Sequence, residues 1–407
     1  MVPQTVGALN ECDDLLTRGV QRRLKWYSRS VVAAGFIAIG SGPAGLSAAE
    51  TFRSRHPHIP VRILTNDAAL PYAKPPLSKD YLCGREAKLD LHSPGWFARH
   101  DVELIRGITV DHIDVVHQEV VTEGGRRYPY WHLVLGCGAN PVPLAIPGAE
   151  AALPLRSFAD ALILRMAART ADSAVVIGAG LIGCEAAATL AARGVPTTIV
   201  AAEPVPLQRR FGDEAGERVA KILLDNGVRF IGSTTVTAID DTHVHLDTGA
   251  SIDGDVVVSA TGVRPDAHLA ADVGLDTCDG RIVVNEHMHT SARNVYAAGD
   301  VALAYNVTAG RRIRAEHWRD AAQQGRIAGL TAAGQPASWC KIPEFSCIIG
   351  ESTLKYRGWG IDYDNTRLVD HRDGFTVYYE SESDVVGVLT ANLVGGTSST
   401  ARSQSAR

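Results

Sequence analysis

Short apolar runs separated by glycine-rich turns recur along most of this chain. Two of them, at residues 36–39 and 174–177, each precede a cluster of glycines and then a long stretch of small and apolar residues. A short apolar run that ends at a tight turn before a helix-forming stretch is typical of a buried strand in a parallel sheet. The pattern therefore predicts two strand–turn–helix units, one near the start of the chain and one in its middle.

Further apolar runs extend both units. Short buried strands are predicted at residues 61–64, 133–135, 256–258 and 294–300, and a hairpin at 115–121. Proline- and glycine-rich stretches at 141–148 and 260–265 interrupt the pattern, as crossings between domains do. After about Pro336, the runs at 375–379 and 385–389 alternate or stay apolar, as half-buried strands do. These runs predict a small α+β unit at the end of the chain.

Each of the two glycine-rich turns carries the pattern G-x-G-x-x-G. Its glycines are Gly40, Gly42 and Gly45 in the first copy and Gly178, Gly180 and Gly183 in the second. Glycines at this spacing allow a tight turn and let the backbone touch a pyrophosphate that faces the N-terminus of the following helix. One copy is weak evidence, because glycine-rich turns are common. Two copies in this context predict two dinucleotides, which suits a resident FAD beside a nicotinamide dinucleotide that binds and leaves.

Composition narrows the class of protein. The chain has 407 residues, more than one hydrophobic core usually serves, so two or three domains are expected. Its net charge of −5 argues against binding to nucleic acid. The seven cysteines are scattered and include no C-x-x-C pair, which argues against a zinc site or a redox-active disulfide. We expect no metal, and a reducing cytoplasm as the location.

One segment resembles an export signal. A basic stretch at residues 21–25 is followed at 30–49 by residues without charge. That uncharged stretch contains the first glycine motif, however, and cleavage near residue 48 would destroy it. We therefore expect neither export nor a membrane span. Residues 1–34 are interpreted as an N-terminal extension: a short amphipathic helix, a flexible tail, or residues upstream of the true start.

Several motifs together resemble one family. They are the first glycine motif, the stretch L-P-Y-A-K-P-P-L-S-K at 70–79, the second glycine motif with Glu185, A-T-G-V-R-P at 260–265 and Y-A-A-G-D at 296–300. This combination is similar to the oxygenase-coupled ferredoxin and rubredoxin reductases. Those are flavoproteins of the glutathione-reductase fold, which also includes the apoptosis-inducing factors. The resemblance covers roughly residues 36–392, and the P-P-L-S-K stretch is its most specific part.

The resemblance implies an α/β fold with two Rossmann-like dinucleotide-binding domains and a small α+β C-terminal domain. The crossings and the shifts of composition along the chain set the expected limits: 35–140 with 260–336 for FAD, 141–259 for NAD(P), 337–394 for the C-terminal domain and 395–407 for a disordered tail. The implied activity is transfer of electrons from NADH or NADPH through FAD to a ferredoxin-type iron–sulfur protein, by a monomer or homodimer. Alternatives are an NAD(P)H oxidase or quinone reductase, or a flavin or nucleotide sensor without turnover.

Two residues are implied to be catalytic. Lys79, stiffened by the preceding prolines, would pair with Glu185 where flavin and nicotinamide meet. A buried ammonium and carboxylate require each other, and such a pair stabilises charge that develops on reduced flavin. Without the resemblance, Lys79 reads as a solvated surface charge and Glu185 as a glutamate favoured early in a helix.

The resemblance also implies a wider set of cofactor-binding residues. On the flavin side they are Gly40, Gly42, Pro43, Ala44, Gly45, Asn66, Lys74, Lys79, Gly138, Gly299, Asp300, Glu316, His317 and Trp318. On the nicotinamide side they are Gly178, Gly180, Leu181, Ile182, Gly183, Glu185, Glu203 and Gly262. Trp318 would stack near the flavin ring or, alternatively, pack as a core tryptophan.

The chain departs from the family at several of these positions. Asn66 stands where a glutamate usually binds the flavin ribose, and Lys74 replaces an arginine. Cys137 interrupts the usual Ala-Thr-Gly, and residues 345–348 replace an aromatic stretch near the flavin.

At the coenzyme ribose, Ala201 and Ala202 come before Glu203, and Arg209 and Arg210 follow, so the choice between NADH and NADPH stays open with a lean to NADH. The arginines at 311, 312 and 314 either dock an acidic carrier or simply face solvent.

Overall fold

Two sheets, each with parallel strands at its centre, frame the protein in the computed structural model, which describes residues 32–360 and 362–392. The helices are α1 Pro43–Arg55, α2 Asp80–Cys83, α3 Pro94–Arg99, α4 Phe158–Ala167, α5 Leu181–Ala192, α6 Gln208–Asp225, α7 His268–Ala271 and α8 Trp318–Ala332, with 3-10 turns at Pro75–Ser78 and Ala149–Ala151. Within these described residues, no helix is long and apolar enough to cross a membrane.

The strands of the first half are β1 Gly35–Ile39, β2 Val61–Leu64, β3 Val102–Ile105, β4 Val110–Asp114, β5 Glu119–Thr122, β6 Arg127–Leu135, β7 Ala139–Pro141, β8 Ala152–Pro154, β9 Ala174–Ile177, β10 Thr197–Val200 and β11 Val228–Ile231. Those of the second half are β12 Val236–Ile239, β13 His243–Leu246, β14 Ser251–Asp253, β15 Val256–Ser259, β16 Val263–Pro265, β17 Thr277–Cys278, β18 Arg281–Val284, β19 Val295–Ala297, β20 Ala302–Asn306, β21 Arg311–Arg314, β22 Glu344–Ile349, β23 Ser352–Gly358, β24 Asn365–His371, β25 Gly374–Ser381 and β26 Asp384–Ala391.

The first sheet has the order β3-β2-β1-β6-β5-β4, and β19 pairs with β6 as a further parallel strand. The strand β1 pairs in parallel with both β2 and β6, so the strand–turn–helix predicted at 36–39 lies in the centre of the sheet. The hairpin predicted at 115–121 is formed by β4 and β5. The return of the chain near residue 294 to this sheet is also confirmed, and it brings Asp300 beside the first glycine motif.

The second sheet has the order β11-β10-β9-β15-β8, and all its pairings are parallel. The predicted strands at 174–177 and 256–258 are its neighbouring members β9 and β15. An antiparallel meander, β12-β13-β14, follows β11 along the chain. Because β9 lies between β10 and β15, the second glycine motif leaves the sheet at its centre, as the first does.

The two predicted crossings between the sheets run side by side. The short strands β7 and β16 pair antiparallel, with Ala139 opposite Pro265 and Pro141 opposite Val263. Each follows a glycine with positive φ, Gly138 at 74° and Gly262 at 105°. The chain therefore enters and leaves the second unit through one hydrogen-bonded ribbon. The exact domain limits stay a prediction, and residues 1–31 and 393–407 lie outside the described residues.

The C-terminal unit is an antiparallel sheet of order β22-β23-β26-β25-β24. Along β22, buried and exposed residues alternate, so that Phe345, Cys347 and Ile349 face inward. They join the same hydrophobic core as α5 and α6, which attaches this sheet to the second unit. The described residues of this unit form strands, and a helical part of the predicted α+β unit is not among them.

Close packing of two helices brings distant parts of the chain to the first glycine motif. A Cβ on Gly325 would meet the Ala44 carbonyl oxygen, and one on Gly329 would meet that of Ala48, in both cases inside van der Waals contact. Only glycine at these points of α8 lets it lie directly on α1. As a result, Gly299 and the N-terminal end of α8 lie against the first turn of α1.

Acid is expected to weaken the first sheet near the start of β1, where His132 on β6 lies opposite Phe36. Burial, and after it the proximity of His56 and His289, lowers the pKa of His132, whose Nδ1 lies 3.3 Å from the Tyr296 hydroxyl. Because the pKa of His132 is lower in the folded protein than in the unfolded chain, unfolding takes up a proton once the pH falls below the ordinary histidine pKa of about 6.5. Stability should therefore fall as the pH drops below about 6.5, by at most about 1.4 kcal/mol per pH unit for this one group.

The comparison of urea midpoints at pH 7.5 and 5.5 tests this expectation. His132→Phe should reduce the loss of midpoint on acidification, whereas His58→Gln, which changes an exposed histidine, should leave that loss unchanged. Equal acid sensitivity of the two variants would show that His132 does not carry the effect.

Candidate dinucleotide sites and the pair between them

The first glycine motif forms an open cradle at the start of α1. Gly40 has a φ of 101°, and a Cβ there would meet the Gly136 carbonyl oxygen. A Cβ on Gly45 would likewise meet the Gly40 carbonyl oxygen. Gly42, the N-cap residue, faces open space: nothing lies within 4 Å of an added Cβ. Two glycines are thus required for packing, and the middle one keeps room for a ligand.

The second motif repeats this geometry at the start of α5. Gly178 has a φ of 105°, and Cβ atoms on Gly178 and Gly183 would meet the carbonyl oxygens of Ala260 and Gly178. Gly180 again faces open space as the N-cap residue.

Neither helix carries a side-chain cap or an acidic residue in its first turn. Since the first N–H groups of a helix attract anions, both cradles fit the pyrophosphate of a dinucleotide. Pro43 and Ala44 begin α1, and Leu181 and Ile182 begin α5, where the side chain of Ile182 is 46% exposed.

A buried ion pair lies between the two units. Lys79 Nζ donates to Glu185 Oε2 at 2.6 Å, and the exposed fractions of the two side chains are 20% and 3%. Glu185 Oε2 also accepts from the Ser78 hydroxyl at 2.6 Å, while Glu185 Oε1 accepts from the Ile348 backbone N–H at 3.0 Å. The structure thus brings together the two residues predicted as catalytic. It also shows that Ser78 and Ile348 hold the carboxylate, which the sequence motifs did not indicate.

One face of α5 fastens the P-P-L-S-K stretch in place. Thr189, one turn after Glu185, donates its hydroxyl to the Ser78 carbonyl oxygen at 2.8 Å. Arg193, one turn further, donates to the Leu82 carbonyl oxygen at 2.8 Å. Residues four apart share a helix face, so the three side chains form a single polar row. This row fixes Lys79 relative to the second glycine motif.

A second cluster of charged side chains, Arg156 and Lys74, lies around Asp300. Its Oδ2 accepts from Arg156 at 2.8 Å, and Arg156 Nε is buried without a hydrogen-bond partner among the described residues. Burial, and then the nearby Arg156, lowers the pKa of Lys74 to about 8. A buried donor and a cation held close to another cation fit a group that supplies acceptor oxygens. Arg156 was not predicted, because in the sequence it is one arginine before the capping box formed by Ser157 and Asp160.

The E-H-W stretch lies at the start of α8. Glu316 pairs with Arg281, which also donates to the Asp300 carbonyl oxygen. Burial, and then Arg319 and Arg210, lowers the pKa of His317 to about 4, so His317 is neutral at pH 7. His317 caps α8 by accepting from the Arg319 backbone N–H at 3.3 Å, and Trp318 is half-buried beside it. A structural role as N-cap therefore accounts for His317.

Two predicted ribose ligands end up in different surroundings. Asn66 is exposed two residues after β2, whereas Asp67 accepts from the Tyr72 hydroxyl at 2.8 Å and from the Ala69 backbone N–H. Glu203, three residues after β10, pairs with Arg209 at 2.6 Å. Roles for Asn66 and Glu203 in ribose binding stay predictions.

A family model described as pyridine nucleotide-disulphide oxidoreductase matches residues 36–325, well over half of the chain. The chain belongs to this family. The match begins at β1 and ends within α8, so it contains both glycine cradles and the Lys79–Glu185 pair. The predicted α/β fold with two dinucleotide-binding units is confirmed, as are FAD and NAD(H) as the cofactors of this oxidoreductase family.

The oxidoreductase is similar to reductases of small electron carriers. It is 30% identical to a rubredoxin-NAD(+) reductase of Pseudomonas putida over 370 residues, 88% of this chain and 95% of that protein. It is 33% identical to rhodocoxin reductase of Rhodococcus erythropolis, over 79% of this chain and 77% of that protein. The solved structure of a covalent putidaredoxin reductase–putidaredoxin complex matches with a TM-score of 0.84 and 29% identity, over 89% of this chain and 90% of that one. The predicted resemblance and type of enzyme are thus confirmed.

Proposed function

We propose that this oxidoreductase passes electrons from a nicotinamide dinucleotide through FAD to a ferredoxin-type iron–sulfur protein. The observation that carries the proposal is the buried Lys79–Glu185 pair between two open glycine cradles. When bound, FAD supplies the change from two-electron to one-electron chemistry, because a flavin accepts a hydride and releases electrons singly. The named relatives act as reductases of rubredoxin, rhodocoxin and putidaredoxin, which supports this class of acceptor.

The residues of the chain would divide the work between the two cradles. The backbone N–H groups after Gly42 and Gly180 would bind the two pyrophosphates. Lys79 would keep positive charge beside the reacting rings, and Glu185 would hold that ammonium in place. Ile182 lies three residues before Glu185 and is 46% exposed, and Ile348, whose N–H binds Glu185, is 40% exposed. These two side chains offer apolar surface for the nicotinamide ring.

Charges around Asp300 would hold the other part of FAD. Arg156 and Lys74 can supply donors to flavin oxygens, while the Asp300 carboxylate can accept from a hydroxyl of the ribityl chain. Gly299 donates its backbone N–H to the buried Gln324 at 2.8 Å, which fixes the turn that carries Asp300. The role of Asp300 as a cofactor ligand rests on this placement next to the start of α1.

The cysteines support an external carrier as the acceptor. The six in the described part of the chain, all except Cys12, are free, and no C-x-x-C pair occurs in the sequence.

The arginines at 311 and 314 pair with Asp362 and Asp279, so the predicted basic dock is partly neutralised. The docking surface is therefore not assigned to this strand. The location in the cytoplasm and the state as monomer or homodimer stay predictions.

An anaerobic titration of the purified protein with NADH, and separately with NADPH, tests the proposal. The flavin absorbance should bleach with about one equivalent of one nucleotide. Addition of an oxidised [2Fe–2S] ferredoxin or a rubredoxin should then restore it. A protein that carries no flavin, or a flavin that neither nucleotide bleaches, would contradict the reductase and favour a sensor. Bleaching that only oxygen or a quinone reverses would contradict the iron–sulfur acceptor alone.

A further inference from the structure

A cavity outside both glycine cradles lies between α1 and α8. Its volume is about 440 Å³, within the range of about 300 to 1,000 Å³ that small-molecule sites occupy. Its walls are the middle of α1, the middle of α8 and the segment before β22. The polar residues of its lining are Ser47, Glu50, Thr51, Gln323, Arg326 and Lys341. None of them belongs to a glycine motif or to the buried ion pair.

The wall at residues 339–341 is anchored to the core. Trp339 is fully buried, and its backbone N–H donates to the Glu286 carbonyl oxygen at 2.9 Å. The Lys341 carbonyl oxygen accepts from the side chain of the buried Asn306, also at 2.9 Å. Trp339 Nε1 donates to Gln323 Oε1 at 3.3 Å, which ties this segment to α8. Lys341 therefore lines the cavity from a fixed backbone, and the Gln323 amide keeps its N–H donors for a ligand.

Two cations of the lining have no acid beside them. Arg326 and Lys341 are exposed, and neither forms an ion pair or a side-chain hydrogen bond with another described residue. Arg319, also on α8, differs in this respect, because it pairs with Glu344 at 3.2 Å. A guanidinium and an ammonium at one cavity are the donors that bind carboxylate and phosphate oxygens.

The acid of the lining already has a partner. His92 Nε2 donates to Glu50 Oε1, and the His92 ring stacks on the Trp96 ring with 3.8 Å between centroids. The Glu50 carboxylate is thus held by a fixed donor on α1, where Ser47 and Thr51 add two hydroxyl groups on the same helix face. The cavity therefore combines two unpaired cations with several neutral donors, which favours an anion over a cation.

We propose that this cavity binds a small anion that carries two or more carboxylate or phosphate groups. Arg326 binds one group through two parallel N–H donors, and Lys341 binds another. The Gln323 amide and the hydroxyls of Ser47 and Thr51 donate further hydrogen bonds to the same anion. The site goes beyond the proposed electron transfer, because it lies apart from both dinucleotide cradles.

Calorimetric titration with citrate and with inorganic pyrophosphate tests the proposal, the first for carboxylates and the second for phosphates. The protein is the oxidised holoenzyme with saturating NAD⁺, so that neither glycine cradle is free to bind an anion. Arg326→Gln and Lys341→Gln each remove one cation from the site. Arg169→Gln, which removes an exposed arginine just after α4, is the matched control. Thermal midpoints confirm that each variant is folded.

One anion per protein should bind, with a Kd below about 1 mM for citrate, for pyrophosphate or for both. Arg326→Gln and Lys341→Gln should each weaken this binding by at least about tenfold, since a charge-assisted hydrogen bond is lost. Arg169→Gln should leave the affinity unchanged. Added salt should weaken the binding, because both cations are exposed.

Two results would overturn the inference. In the first, neither anion binds to the unchanged enzyme. In the second, an anion binds but neither Arg326→Gln nor Lys341→Gln weakens it, which would place the anion elsewhere on the protein. Binding of citrate alone would identify a carboxylate site and binding of pyrophosphate alone a phosphate site. Since the titration involves no turnover, its result is independent of whether the protein reduces an iron–sulfur carrier.

Discussion

Lys79→Met is expected to destabilise the protein by about 3 to 5 kcal/mol, the range for removing one partner of a buried ion pair. Glu185 is 3% exposed and would keep only the two neutral donors, Ser78 and the Ile348 backbone N–H. A carboxylate in that position has no cation and little water. The thermal midpoint of the holoenzyme should therefore fall well below that of Lys88→Met, which removes an exposed lysine from the same region.

The double variant Lys79→Met with Glu185→Gln separates the ion pair from packing. Because the amide of glutamine needs no cation, the double variant should recover a large part of the lost stability. If it is as unstable as Lys79→Met, the methylene stem of the lysine, rather than the charge pair, would be what stabilises this junction.

The same variants are expected to slow the reaction. Loss of one fixed charge or donor at a reacting centre typically lowers the rate by about 10²- to 10³-fold. The rate of flavin bleaching after rapid anaerobic mixing with NADH measures this step before any acceptor is involved. Both Lys79→Met and Glu185→Gln should be slow, and the double variant should stay slow although it is stable again. Recovery of rate together with stability would show that the pair is purely structural.

Substitutions at two neighbouring glycines are expected to give different defects, a loss of stability at Gly45 and a loss of FAD binding at Gly42. Gly45→Ala places a methyl group against the Gly40 carbonyl oxygen, so the first unit should lose about 1 to 3 kcal/mol or more from overpacking. Gly42→Ala meets nothing within 4 Å, and its φ of −69° and ψ of −177° suit alanine. The fold should therefore tolerate Gly42→Ala, while the methyl group occupies the space left for the pyrophosphate.

Flavin content and the thermal midpoint of the flavin-free protein distinguish the two defects. Gly42→Ala should keep the midpoint and bind FAD at least about tenfold more weakly, because the close approach of backbone N–H groups is blocked. Gly45→Ala should lower the midpoint even without flavin. If Gly42→Ala binds FAD normally, the cradle does not hold the pyrophosphate at this glycine.

Local patterns were sufficient for the parts of the site that lie within one turn. The spacing of Gly40, Gly42 and Gly45 predicted a strand, a turn and a helix start, because these follow from steric limits within a few residues. The Lys79–Glu185 pair, by contrast, was predicted only through a family resemblance. Its members are 106 residues apart, and no periodicity links them.

The supporting residues were missed for the same physical reason. Arg156 reaches Asp300 across 144 positions, and the Ile348 N–H reaches Glu185 across 163. In the sequence, each belongs to an ordinary helix start or strand. Whether Asn66, Asp67 or Glu203 is available to bind a ribose also depends on bonds already made in the fold, such as those of Tyr72 to Asp67 and of Arg209 to Glu203. Such occupancy is a property of the assembled fold.

The ribbon of β7 and β16 makes the second unit a cassette. Val142 N–H donates to Gly262 O at 3.0 Å, so the segment 142–262 begins and ends at adjacent points. A piece with neighbouring ends can be exchanged for its counterpart from a related chain without stretching either junction. The exchanged segment would have to keep the polar row of α5 that binds residues 78–82 and the apolar surface that packs against β22. Chimeras built at these two positions would then exchange the nucleotide preference of the enzyme while leaving its flavin and its acceptor unchanged.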